Sequence, residues 1–465
     1  MLVGVDLEED KLRVSHYDSD GRLKFIKKQI NADDMFKWNV TEQPTRWKTW
    51  NNAYIYPSMT NRLSRFRLEE LMLKYIKGDS LMVLNEFNKP KIAYLDIENY
   101  VNQNNDFTKP ELAEFPINII SVLVENCVYV LTTLPQMSPD DIRRMECELN
   151  AYFKKYNTAY TINYQFFQKE LHLLTFFCHH MLPKLGFITG WNVLNYDWQY
   201  ITNRCQKLDI DLTKKLPSSD LGINRIPTHT AMIDYIEAVM TMRSVKDLEN
   251  MSLETVSNKV LDVAKLHNPH KSFYDFINDT YMFTLYNMID SCLIQLIENK
   301  TSTLDRSFAI AKIANIELSR TFSSVYMTEM FLCRQFYNNG IFLPDIRKKK
   351  VQKDFKYSGA YVKQPIPGFY EYVSCFDFNS MYPNIAVQFN ISPETYLGMW
   401  DKIDKSTLPA NYTRTVKGTT FDNTYDSATR SLLIKYYDTR KMFQKNMAGI
   451  EDELKELRSK LQCVS

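Results

Sequence analysis

Between Lys91 and Glu298 short apolar runs alternate with helical periodicity, and this alternation restricts the chain to an α/β layer fold. Ile92-Ala93-Tyr94-Leu95-Asp96-Ile97-Glu98 reads as a strand, and residues 117–124 and 127–131 read as two more. Residues 170–182 have helical spacing, 186–191 form a strand running into a loop, and 198–205 and 280–298 are helical. Around this block, residues 1–90 mix short apolar runs with turn signals and predict a small mixed α/β domain. Residues 309–340 are helical, and a long amphipathic helix runs from Ser431 to Leu461 with Glu451–Lys455 and Glu456–Lys460 in the favourable i,i+4 order.

The chemistry-bearing residues fall at defined points of this pattern. Asp96 and Glu98 are two apart on a strand, so both project from one face and can serve one metal site. Alone, that spacing more often marks a solvated strand face. Asp197 follows Asn192-Val193-Leu194-Asn195-Tyr196 and opens a helix, where capping is the common role of an Asp. Tyr286 and Asp290 share a helix face at i,i+4. Asp290 sits among Met288, Ile289, Cys292 and Leu293, where an acid is costly unless it is paired or ligates a cation. Together the three elements supply four acids and a phenol. Four carboxylates can hold two divalent metals about 4 Å apart, and that pair cleaves phosphodiesters.

Further on, an apolar run over Val373–Phe378 delivers Asp377 to a turn ending at Tyr382-Pro383. It reads as a strand holding an acid, with backbone N–H groups open to an anion.

Composition adds bounds. A chain of 465 residues with 45% hydrophobic and 13% aromatic content predicts several packed domains. No apolar run reaches membrane-span length, no signal-peptide pattern opens the chain, and a soluble cytoplasmic protein is expected. The eight cysteines form no CxxC pair, so neither a zinc site nor a disulfide framework is indicated. Net charge of +2 neither announces nor excludes a nucleic-acid binder, because acids at metal sites cancel basic grooves. Arg347-Lys348-Lys349-Lys350 is a basic run that can touch a phosphate backbone.

The order Asp96-x-Glu98, Asn192…Tyr196-Asp197, Tyr286…Asp290, then Asp377-Phe378-Asn379-Ser380-Met381-Tyr382-Pro383 resembles a family B DNA polymerase of the tailed-bacteriophage type. The first three match the family's exonuclease motifs, and the fourth matches polymerase motif A, with Met381 and Asn384 as departures. Tyr357-Ser358-Gly359-Ala360 resembles the YxGG linker, with Ala360 for the second Gly. Asn390-Ile391-Ser392-Pro393-Glu394-Thr395 resembles the run after motif A. The resemblance implies an RNase H-like 3′→5′ exonuclease domain, a partial palm with an antiparallel sheet, and helical fingers. The segments would be 1–90 (with 309–345 packing back on it), 91–308, 346–428 and 429–465.

It also implies roles. Asp96, Glu98, Asp197 and Asp290 would ligate Mg²⁺ or Mn²⁺, Tyr286 would orient the attacking water, and Asn192 would hold the strand. Asp377 and the Phe378 carbonyl would ligate a polymerase metal. Ser380, Met381, Tyr382, Arg440, Lys441 and Lys445 would bind the dNTP, although Gln444 stands where the first Lys of a pair is usual. Tyr357 and Gly359 would touch DNA. Motif B and the paired acids of motif C are missing from the sequence, so the expected protein is the N-terminal part of a polymerase that needs a second polypeptide or remainder. The alternatives are a stand-alone exonuclease and a non-catalytic nucleic-acid scaffold. Expected partners are primer-template DNA, single-stranded 3′ ends, a sliding clamp and a single-strand-binding protein.

Overall fold

The computed structural model describes all residues except 50–52, 61–62, 64, 87, 105–107, 219–220, 222, 343–360 and 463–465. The basic run 347–350, Tyr357, Gly359 and residues 463–465 therefore lie outside the described residues. Two compact units divide the chain, residues 1–34 with 71–330, and 35–70 with 331–465.

The first unit opens with an antiparallel meander of β1 (Leu2–Glu8), β2 (Lys11–Tyr17) and β3 (Leu23–Gln29). A buried polar cluster fastens it. Arg13 donates to both Asp6 oxygens at 2.9 and 2.6 Å, His229 Nε2 lies 3.1 Å from Asp6, and Ser15 Oγ lies 2.8 Å from His229 Nδ1. A second small sheet, β4 (Phe36–Thr41), β5 (Trp47–Lys48) and β6 (Tyr54–Met59) in the order β4-β6-β5, belongs to the other unit.

Six strands make the central sheet of the first unit. They are β7 (Ile92–Asn99), β8 (Ile117–Val124), β9 (Cys127–Thr132), β10 (Thr161–Phe166), β11 (Phe187–Gly190) and β12 (Ala231–Asp234), in the order β10-β9-β8-β7-β11-β12. β7, β8 and β9 are antiparallel neighbours, and the pairs β9–β10, β7–β11 and β11–β12 are parallel. Strand alternation sorts β7 between two cores. Ala93, Leu95 and Ile97 pack with Trp198, Tyr200 and Ile201 of the helix Asp197–Lys207. Tyr94 joins Met288, Ile289, Cys292 and Leu293 of the helix Thr280–Thr301. Asp96 and Glu98 are in phase with Tyr94 and so turn toward that second helix. Its start is set by Asp279, whose side chain accepts the Met282 N–H at 3.2 Å. It ends at Thr301, three residues later than the apolar spacing predicts, with Ser302 capping it at φ +50. Its second half is buried all round, so apolar periodicity carries no stop signal there.

β11 is short. Its pairing with β7 stops at Thr189 opposite Tyr94, and Gly190 follows. A Cβ on Gly190 would stand 2.3 Å from the Leu95 carbonyl oxygen, so only glycine lets the chain leave β11 this close to β7.

In the second unit β13 (Tyr396–Met399), β14 (Tyr412–Arg414) and β15 (Thr419–Asp422) form an antiparallel sheet in the order β13-β15-β14. A helix of 35 residues, Ala428–Gln462, follows. The run 390–395 has a clear structural task. Buried Asn390 donates to the carbonyls of Asp422 and Tyr425 and accepts from Ser427 N, while Glu394 accepts the Ala428 N–H at the start of the long helix. The strand expected over Val373–Phe378 is not formed. Residues 373–378 have no regular structure, and Phe376 and Phe378 are 92% and 80% exposed. A strand needs a neighbour to bond its backbone groups, and no described strand pairs with this run. Among the described residues no helix is long and apolar enough to cross a membrane.

Candidate active site

The acids predicted from three separate stretches meet at one end of the central sheet. Asp96, Glu98 and Asp290 offer carboxylate oxygens that all lie within 4.8 Å of one another. The strand supplies two of them from one face and the helix Thr280–Thr301 supplies the third. Asp197 arrives by a different route. Because β11 has ended, the β7 edge beyond Tyr94 lacks a strand on that side. Asp197 Oδ1 takes over and accepts the Ile97 N–H at 3.0 Å, between Asp96 and Glu98. Asp290 and Asp197 are 5% and 4% exposed, whereas Asp96 and Glu98 keep partial access to solvent.

Crowded acids resist ionising. Burial, then the charges of Asp197, Asp290 and Glu98, push the Asp96 carboxyl well above its ordinary value. Burial raises Glu98 to about 8, with Lys265 opposing and Asp290 and Asp197 adding. Asp197 rises to about 7 through burial, moderated by backbone hydrogen bonds, and Asp290 to about 6 through burial, moderated by Lys265. Such a cluster is short of positive charge.

Asp290 Oδ1 is buried and has no hydrogen-bond partner among the described residues, although Oδ2 is paired. Three converging carboxylates, one of them with an unpaired buried oxygen, are the donor set that a hard divalent cation fits. The residues therefore suit a metal ion.

Tyr286 stands half-buried beside the cluster, T-shaped against Phe276 at 5.3 Å. Burial, with the charges of Asp290 and Glu98, raises its phenol further, so Oη keeps its proton. Asn192 has φ +60 in the turn that leads to Asp197, and its carbonyl accepts the N–H groups of Asn195 and Tyr196.

Three neighbours escape sequence reasoning. Lys265 Nζ lies 2.5 Å from Asp290 Oδ2 and 4.3 Å from the centre of the Tyr286 ring. It comes from an irregular stretch with no periodic signal. Asn287 donates from Nδ2 to Asp96 Oδ2 at 2.5 Å. A polar residue on the buried face of an apolar helix was the available clue. Asp234, at the end of β12, accepts backbone N–H groups from the Asn192–Leu194 turn. An acid closing the apolar run Ala231-Met232-Ile233 was its signal.

The second unit places its own candidates differently. Asp377 is exposed in irregular backbone and belongs to no grouping of three metal-ligand side chains among the described residues. Ser380, with φ +52, precedes the helix Met381–Phe389, on which Tyr382 is 75% exposed. Arg440, Lys441 and Lys445 are exposed on the long helix, and Lys441 Nζ lies 4.4 Å from the Tyr437 ring centre. Elsewhere Cys178 Sγ is 3.5 Å from Cys205 Sγ and His179 Nε2 binds the Asp211 carbonyl.

Comparison with known proteins points to one family. The family described as DNA polymerase family B, exonuclease domain, matches residues 58–256, and that described as DNA polymerase family B matches residues 316–464. The DNA-directed DNA polymerase of Escherichia phage RB69 is 27% identical over 363 residues, covering 72% of this chain and 39% of that protein. The DNA-directed DNA polymerase of Enterobacteria phage T4 is 26% identical over 227 residues, covering 46% of this chain and 25% of that protein. The DNA polymerase catalytic subunit of Alcelaphine herpesvirus 1 is 27% identical over 245 residues, covering 48% and 24%. The chain thus spans well under half the length of the curated relatives it matches.

Proposed function

The chain belongs to the family B DNA polymerases, and from that premise we propose that its first unit is a metal-dependent 3′→5′ exonuclease acting on single-stranded DNA. The observation that carries this reading is the convergence of Asp96, Glu98 and Asp290 within 4.8 Å, with Asp197 bonded between the first two. Mg²⁺ or Mn²⁺ held by these carboxylates would activate a water and neutralise charge on the leaving oxygen. The strand fixes Asp96 and Glu98, and the helix brings Asp290 from the opposite side. Tyr286 keeps its phenolic proton and offers Oη to orient the attacking water. Asn192 holds the frayed 3′ strand at the mouth of the turn. Lys265 balances part of the acidic charge and fixes the Tyr286 ring.

The test is degradation of a 5′-labelled single-stranded oligonucleotide in Mg²⁺. Parent protein should shorten it from the 3′ end, and the Asp96→Ala, Glu98→Ala pair should not. Equal digestion by the double variant refutes the assignment.

The match over residues 316–464 supports a second reading. We propose that Asp377 and the Phe378 carbonyl are one part of a polymerase metal site. Ser380, Met381, Tyr382, Arg440, Lys441 and Lys445 would meet the dNTP, Tyr357 and Gly359 the DNA, and acids from a partner subunit or from a remainder of the polypeptide would complete the site. One carboxylate cannot hold two metals, so this chain alone should incorporate no dNTP on a primer-template. Incorporation without an added partner overturns that reading.

A further inference from the structure

A fifth carboxylate, Asp234, is buried against the turn that leads to Asp197, and nothing in the proposed reaction uses it. Asp234 is 2% exposed at the end of β12. Its Oδ1 accepts from Asn192 N at 3.1 Å and Ile236 N at 3.1 Å, and its Oδ2 accepts from Leu194 N at 3.2 Å. The bond from Ile236 caps the short helix Tyr235–Val239, an ordinary task for an Asp. The other two bonds have no part in that cap. They reach across to the turn that leaves β11.

That turn does something difficult. It leaves β11 at Gly190, passes through Asn192 in the left-handed region, and enters the helix that begins at Asp197. Left-handed backbone is tolerated by Asn but not favoured. The Asn192 and Leu194 N–H groups point to one side, and both end on one carboxylate. Past the turn, Trp198 N bonds the Val193 carbonyl at 2.8 Å, and Asp197 Oδ1 reaches Ile97 N at 3.0 Å. An unbroken run of contacts thus joins Asp234, the turn, Asp197 and the strand bearing Asp96 and Glu98.

We propose that Asp234 is a positioning residue of the nuclease. It holds the Asn192–Leu194 turn so that Asn192 and Asp197 face the same 3′ end and the same cation. This deepens the exonuclease reading and rests on it.

Two substitutions in the full chain separate this role from helix capping. Asp234→Ser keeps a capping oxygen for Ile236 but cannot span to the turn. Asp234→Asn keeps the shape and turns one acceptor head into a donor, so one turn bond is lost. Each is measured for Mn²⁺ affinity by electron paramagnetic resonance without DNA, and for kcat and KM on a single-stranded oligonucleotide, at a temperature where circular dichroism shows the protein folded. Asp234→Ser is expected to weaken Mn²⁺ binding about tenfold and to raise KM while lowering kcat, with Asp234→Asn intermediate.

If Asp234→Ser does not fold, Asp234→Asn decides the matter. Parent-like Mn²⁺ affinity and kinetics in a folded Asp234 variant overturn the proposal. If the parent itself does not digest DNA, the exonuclease reading fails, and the Mn²⁺ measurements still test Asp234.

Discussion

Replacing Lys265 by Met should destabilise the protein without metal and tighten its grip on metal. Lys265 Nζ lies 2.5 Å from Asp290 Oδ2, with side chains 23% and 7% exposed. Burial opposes the ammonium, but Asp290 and Tyr286 outweigh it and keep it protonated. Removing one partner of a buried pair costs about 3–5 kcal/mol, because the other charge is left uncompensated. The partial exposure of Lys265 puts this case at about 3 kcal/mol. For a unit of this size roughly 2 °C is lost per kcal/mol, so Lys265→Met should melt about 6 °C below the parent in EDTA. A bound divalent cation supplies the missing positive charge, so saturating Mg²⁺ should close about two-thirds of the gap. By reciprocity the ~2 kcal/mol recovered must reappear as metal affinity, about thirtyfold tighter in the variant. Thermal melts with EDTA and Mg²⁺ read the first quantity, and Mn²⁺ titration reads the second. An equal melting gap in both conditions, or weaker Mn²⁺ binding in the variant, refutes the reasoning.

Asn287→Ala removes the donor that holds Asp96 Oδ2, and should weaken Mn²⁺ binding several-fold in a titration. Asn287→Leu, which fills the space without donating, should not restore it. Gly190→Ala drives a Cβ to 2.3 Å from the Leu95 carbonyl. It should cost about 3 kcal/mol in denaturant melts and lower nuclease activity further than stability alone explains. Burial opposes the Asp6 carboxylate, but hydrogen bonds and charge from His229 and Arg13 hold it far below its ordinary range. Its stabilisation is therefore present above the unfolded value near 3.9 and lost as pH falls below it. Asp6→Asn should melt below the parent at pH 7, and the two curves should converge toward pH 2.

How much was legible in the residues depends on what each interaction needs. Asp96 with Glu98 and Tyr286 with Asp290 are fixed by local periodicity, so spacing places them on faces before any tertiary contact is known. The order of the elements then gives the sheet and the acid cluster. Asp290 among apolar neighbours announces that it needs a positive partner. Lys265 as that partner is invisible, because an irregular stretch has no period to read. Asp234 is hidden by an innocent alternative, since capping alone justifies an Asp there. The strand expected at Val373–Phe378 fails for the opposite reason. Its apolar pattern is locally good, but a strand is a pairwise object, and local pattern cannot supply a neighbour.

The early end of β11 has a consequence for how the cluster senses its contents. Asp197 spends one oxygen as the hydrogen-bond partner that a longer strand would have supplied. The backbone amide of Ile97 is thereby wired to one of the acids that the proposed nuclease would turn toward its cation. Whatever draws Asp197 toward a cation tugs on the sheet edge, and whatever loosens that edge frees the acid. The exchange rate of one amide proton, at Ile97, should therefore report occupancy of the site from inside the sheet.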